Sequence, residues 1–158
     1  MLVQMNRNTG VRDFSITARD LPVNPSTVPA SKRGPTPVVA VFGHPGRVAG
    51  LRTHLPGGWS VRRPATLDDV HPDEIVLLAG TSVREVGTAR SVLPSRTRVV
   101  ALVDEEAPPE VVAGVLTAGA DVCVRGGQPA ILASHLVGVR RRQLAERWAR
   151  LDADRDLV

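Results

Sequence analysis

Between a β-rich run and a helical pattern the chain carries Gly43-His44-Pro45-Gly46-Arg47-Val48-Ala49-Gly50. A turn of this kind can aim backbone N–H groups at a phosphate, with Arg47 as the cationic partner. The spacing matches neither familiar fingerprint: dinucleotide sites place glycines at the first, third and sixth positions, and phosphate-binding loops end in Gly-Lys-Ser/Thr. Gly43, Gly46 and Arg47 therefore form a candidate anion loop, set against the plainer reading of a strand-to-helix turn. Asp104, Glu105 and Glu106, near Glu110, lack the alternation and glycine of a calcium loop and read as a solvated face. Cys123 sits in an apolar run and reads as a small buried hydrophobe. His44, His54, His71 and His135 show no metal-ligand spacing. With no paired acid and base and no activated nucleophile, the pattern points away from an enzyme, a metal and a cofactor.

A chain of 158 residues is one domain's worth. Its single cysteine leaves the fold to stand on packing. No apolar run reaches the length of a membrane span, and Arg7, Arg12, Asp13, Arg19 and Asp20 interrupt the first 30 residues, so a cytoplasmic protein is expected. The net charge of +4 resides in the tails, since residues 37–127 hold nine basic and ten acidic residues. That distribution, and the absence of tyrosine beside only two Phe and two Trp, disfavours a nucleic-acid partner. Lys32 is the only lysine, and the abundance of Arg, Ala, Gly and Val resembles the composition of a high-GC bacterium.

The elements that must position these residues are clearest in residues 97–127. The run from Arg98 to Val103 reads as a strand buried on both faces. Pro108, Pro109 and Glu110 suit a helix start, Val111, Val112, Val115 and Leu116 make an apolar stripe, and Gly119 stops the helix. Residues 121–125 return as a strand, so the pair must be parallel.

Earlier runs repeat the pattern. Residues 37–43 form a first strand, followed by a helix through Leu55 with Val48, Leu51 and Leu55 inward. Residues 59–61 form a short second strand, and residues 65–70 allow one short helix capped by Thr66 and Asp69. Ile75 to Ala79 form the third and central strand, followed by a helix with Val83, Val86, Ala89 and Val92 inward. A last helix starts at Pro129, with Ile131, Leu132, Leu136 and Val139 on the sheet. The expectation is an α/β fold: a doubly wound, five-stranded parallel sheet over residues 37–139. A disordered arm precedes it at residues 1–36, where the alternation at residues 13–17 is too short for a strand. A helical extension and tail follow at residues 140–158.

This order, with Pro72-Asp73-Glu74-Ile75-Val76-Leu77-Leu78 and Ala118-Gly119-Ala120-Asp121, resembles a receiver domain of the response-regulator family. The resemblance implies a flavodoxin-like strand order, carboxylates after the first strand to hold Mg²⁺, and a phosphate-accepting aspartate at the end of the third. Here the first place holds Phe42, Gly43 or His44, and the second Leu78 or Ala79. The hydroxyl place falls on Val103, the switch aromatic on Cys123, and the lysine on Gly126 beside Arg125. The chain therefore resembles a degenerate pseudo-receiver, and such domains commonly act through protein contacts.

The last helix is longer than a sheet of five short strands needs. Leu144, Trp148 and Leu151 share one face beside Arg140 and Arg141, a candidate interface for a second copy or another protein. The expected function is a phosphorylation-independent regulatory interaction module in signal transduction. The alternative is a small-ligand or nucleotide sensor using residues 43–50.

Overall fold

Each of the five expected strands forms and every pairing is parallel, with the three central runs apolar on both faces. The computed structural model describes residues 36–157, with strands β1 (Val38–Gly43), β2 (Ser60–Arg62), β3 (Ile75–Ala79), β4 (Arg98–Val103) and β5 (Val122–Arg125). Their order is β2-β1-β3-β4-β5, the flavodoxin-like order, with β3 at the centre. The arm expected at residues 1–36 and the alternation at residues 13–17 lie outside the described residues, except for Thr36.

The two-residue period of a strand sorts the side chains into two cores. Val39, Val41, Ile75 and Leu77 belong to one core, together with Leu51, Leu132, Leu136 and Val139. Val76, Leu78, Val99 and Ala101 belong to the other, with Val86, Ala89 and Val115. The first core is covered by α1 (Leu51–His54) and α4 (Pro129–Asp156), the second by α2 (Val83–Val92) and α3 (Pro109–Ala118).

Local chemistry sets the helix ends. Ser82 Oγ accepts from the Glu85 N–H at 3.3 Å while the Glu85 carboxylate accepts from the Ser82 N–H at 2.9 Å, a reciprocal cap for α2. The α3 helix begins at Pro109 and ends at Gly119, whose φ of 123° suits a residue without Cβ. The Asp69 carboxylate accepts from both the N–H and the hydroxyl of Thr66, closing the short 3₁₀ turn Leu67–Asp69.

Several expected details shift. The first helix divides into a 3₁₀ turn, Pro45–Val48, and α1, because Gly50 adopts φ of 80° between them; Val48, Leu51 and Leu55 still point inward. Val83, Val92, Leu116 and Ile131 are exposed at the margins of their stripes, and Leu93 and Ala133 are buried instead. The helix α4 continues to Asp156. The second strand runs one residue further than expected, to Arg62, and β5 begins only at Val122.

The reason for Arg62 is an anchor at the sheet edge. Its Nε donates to Glu74 Oε2 at 2.8 Å and its Nη2 to Oε1 at 2.7 Å, while the His71 N–H donates to Oε1 at 3.1 Å. These bonds satisfy a carboxylate in a residue only 4% exposed, and the bond to Glu74 leads the rise of the Arg62 pKa above its ordinary value. The pair fixes the three-residue β2 to the start of β3. Arg62→Ala leaves Glu74 buried without its cation and is expected to lower unfolding stability by about 1–3 kcal/mol. Arg62→Lys should recover only part of that loss, because an ammonium lacks the two-pronged geometry. Denaturant midpoints measure both, and an unchanged midpoint in Arg62→Ala would contradict the anchor.

Candidate functional site

At the carboxyl ends of the central strands, Phe42 pairs in register with Leu78, and Gly43 with Ala79. Strand order reverses between β1 and β3, the crevice where doubly wound sheets bind ligands. An open cleft of about 810 Å³ lies here, lined by Phe42, Leu67 and Leu78 and rimmed by Thr81, Arg84 and Thr88. Leu78 and Ala79 are both buried and belong to opposite cores. Either place for an accepting carboxylate is thus occupied by an enclosed apolar side chain.

Phe42, Gly43 and His44 bring no carboxylate to the crevice, so they do not fit the hard divalent cation that receiver chemistry uses. Among the described residues no group of three or more His, Cys, Asp or Glu is placed to hold a metal ion. The remaining receiver positions are taken up by packing and backbone pairing. Val103 is buried, Cys123 pairs with Ala101 in the sheet, and the Gly126 N–H donates to the Val103 carbonyl at 3.1 Å. Burial pushes the Cys123 thiol above its ordinary value, opposed by Arg125, so it stays protonated and weakly nucleophilic.

Residues 43–50 are closed on themselves and on the neighbouring strand. The His44 N–H donates to the Ala79 carbonyl at 3.1 Å, the Arg47 N–H to the His44 carbonyl at 3.2 Å, and the Ala49 N–H to the Gly46 carbonyl at 3.4 Å. Gly43 has φ of 96°, and a Cβ there would lie 2.1 Å from the Ala79 oxygen. Its need for glycine is close backbone approach rather than a phosphate. Arg47 forms an ion pair with Asp104 across the tops of β1 and β4. The proposed cation is therefore partnered, and Asp104 is tied to the strand ends rather than standing in a wholly solvated acidic face. Sequence spacing carried no sign of this pair.

At the opposite end of the sheet, Arg98 starts β4 and joins three elements. Its Nη1 donates to Asp121 Oδ1 at 3.0 Å and its Nη2 to Glu146 of α4. Asp121 also accepts from the Val99 N–H at 2.8 Å and stands 3.8 Å from Arg90. Burial alone would lower the Arg98 pKa, but its bonds to Glu146 and Asp121 reverse that and hold it charged. The segment Ala118-Gly119-Ala120-Asp121 thus has a structural purpose here: Gly119 ends α3 against Arg90, and Asp121 gathers the arginines.

The α4 helix spans 28 residues, about 42 Å at 1.5 Å per residue. Val139 is its last buried residue. Beyond it Leu144, Trp148 and Leu151 are exposed at 36%, 61% and 43%, the two leucines bordering a groove of about 370 Å³ that α4 shares with Pro72, Asp73 and Arg96. Arg141 is exposed beside it, and Arg140, half-buried, donates to Gln143 at 3.4 Å. The stripe and the strand-end cleft are separate: the proposed interface residues gather on α4, while Gly43, Gly46 and Arg47 gather at the carboxyl ends of the strands. No helix among the described residues is long and apolar enough to cross a membrane.

No family model matches the chain, and no curated protein matches it by sequence. Among solved structures, the crystal structure of a protein described as a pilus assembly protein (CpaE), from Burkholderia thailandensis, is similar with a TM-score of 0.51. The two are 13% identical, over 66% of this chain and 98% of that one. This likeness is one of fold, and it supports the receiver-like arrangement.

The loop geometry separates its glycines by experiment. Gly43→Ala should destabilise the fold by about 2 kcal/mol or more, through both the positive φ and the clash. Gly46, with open space around it, should tolerate alanine within about 0.5 kcal/mol. Thermal or denaturant unfolding of both variants tests this, and equal losses would contradict the close-approach account.

Proposed function

We propose that this chain is a non-catalytic, phosphorylation-independent pseudo-receiver that serves as a regulatory protein-interaction module in the cytoplasm, with the exposed stripe of α4 as its contact surface. One observation carries the reading. The carboxyl ends of β1 and β3 present Phe42, Gly43, Leu78 and Ala79 where phosphotransfer needs carboxylates, while an apolar stripe continues past the domain on a helix anchored through Glu146.

Function resides in sites rather than in folds, and here the ends of β1 and β3 bring no carboxylate to the crevice and Arg47 is paired with Asp104. The exposed Leu144, Trp148 and Leu151 are the kind of aromatic and aliphatic anchors that interfaces bury. A protein partner accounts for them better than nucleic acid, because Glu146, Asp152, Asp154 and Asp156 dilute the arginines of the same helix.

Incubation with a small phosphodonor and Mg²⁺ should leave the full chain without acid-labile phosphate by intact-mass analysis. Stoichiometric labelling of any aspartate, Asp104 included, would overturn the reading.

A further inference from the structure

The stripe on α4 fits one heptad. With Trp148 at position a, the same position holds Arg141 and Arg155, and position d holds Val137, Leu144 and Leu151. The core-facing residues Leu132, Leu136 and Val139 lie roughly 120° around the helix from Leu144, Trp148 and Leu151, at 3.6 residues per turn. Trp148 therefore stands clear of the chain's own domain, whereas Leu144, Leu151 and Arg147 flank a groove of about 370 Å³ shared with Pro72, Asp73 and Arg96. Glu146, at position f on the back of the seam, is held by Arg98, so this ion pair leaves Trp148 uncovered.

The flanking charges favour a second copy. Arg147 occupies g and Asp152 the following e, the two positions that meet across a parallel two-stranded coil. Two identical helices in register make this contact twice, each Arg147 facing the other chain's Asp152. Among the described residues Arg147 has no ion-pair partner within its own chain, whereas Asp152 has only an exposed neighbour, Arg155, at 3.8 Å. Arg141 and Arg155 at a sites bracket the apolar layers, a polar choice that costs stability while fixing register and strand number. Residues 140–156 extend about 25 Å, enough for a short and reversible coil.

We infer that the chain self-associates through α4 as a parallel, in-register two-stranded coil, with Leu144, Trp148 and Leu151 as its layers and Arg147 paired to Asp152 of the second copy. This inference rests on the contact-module reading and names its partner.

Sedimentation equilibrium of the full chain over a range of concentrations tests it, with circular dichroism confirming that each variant folds. The wild-type chain should show a dimer whose population rises with concentration. Trp148→Glu should raise the dissociation constant at least about thirtyfold, as loss of a central anchor does. Arg147→Glu and Asp152→Arg should each weaken the dimer about three- to tenfold, and the double variant should return to within about threefold of wild type. Positions 147 and 152 do not face each other within one helix, so that rescue reports on the contact between chains. A monomer at every concentration, or a dimer indifferent to Trp148→Glu, would overturn the proposal. Absence of rescue would overturn the parallel register. None of these failures reproduces the one that would end the broader reading, which is phosphate on an aspartate.

Discussion

Burial of β3 on both faces is the constraint from which the rest follows. A strand enclosed between two cores must be apolar along its length, and Ile75 to Ala79 are all buried. Polar chemistry in such a sheet is confined to the strand ends and the loops beyond them. In this chain even the ends of β1 and β3 are apolar or glycine, and the loop above is tied by Arg47 to Asp104. That ion pair is exposed, so its stabilisation is small. Its consequence is positional: it occupies the one guanidinium that an incoming anion would have met at residues 43–50.

The polar interactions with structural weight lie at the other end of the strands. Arg62 and Glu74 fix the edge strand, and Arg98 ties Asp121 to Glu146. The second of these networks has reach beyond the domain, because Glu146 lies seven residues past the last buried position of α4, Val139. A helix overhanging its domain has no packing to hold its direction, and here an ion pair at the base of β4 supplies one. Trp148 is thereby left exposed on α4, away from the strand-end crevice, with Leu144 and Leu151 beside the groove that the helix shares with Pro72, Asp73 and Arg96.

Strands, their parallel order and the long last helix were legible in the sequence because each rests on local signals. Apolar runs gave the strands, Pro109 and Gly119 bounded a helix, and residues 144, 148 and 151 declared one face. Errors gathered at margins, where side-chain geometry rather than period decides exposure: Val83, Val92, Leu116 and Ile131 belong to the apolar pattern and yet lie outside the cores. The division of the first helix at Gly50 came from a positive φ that a glycine permits and a periodicity cannot show. At the candidate sites the ion pairs were illegible, because Arg47 and Asp104, or Arg98 and Glu146, are far apart in the chain and meet only through the order of the strands. Gly43 drew notice as a phosphate-loop residue, whereas its requirement is the Ala79 carbonyl beside it.

The central claim is that this domain works through a surface on α4, without chemistry at its strand ends. Amide hydrogen exchange of the full chain, followed by mass spectrometry at low and high protein concentration and with or without a phosphodonor and Mg²⁺, addresses both halves at once. An uncovered overhang exchanges quickly, since few buried contacts hold it closed. The account predicts protection of residues 140–156 that rises with concentration and is indifferent to the phosphodonor. Exchange that stays fast over residues 140–156 at every concentration, or protection that changes when the phosphodonor is added, would contradict it.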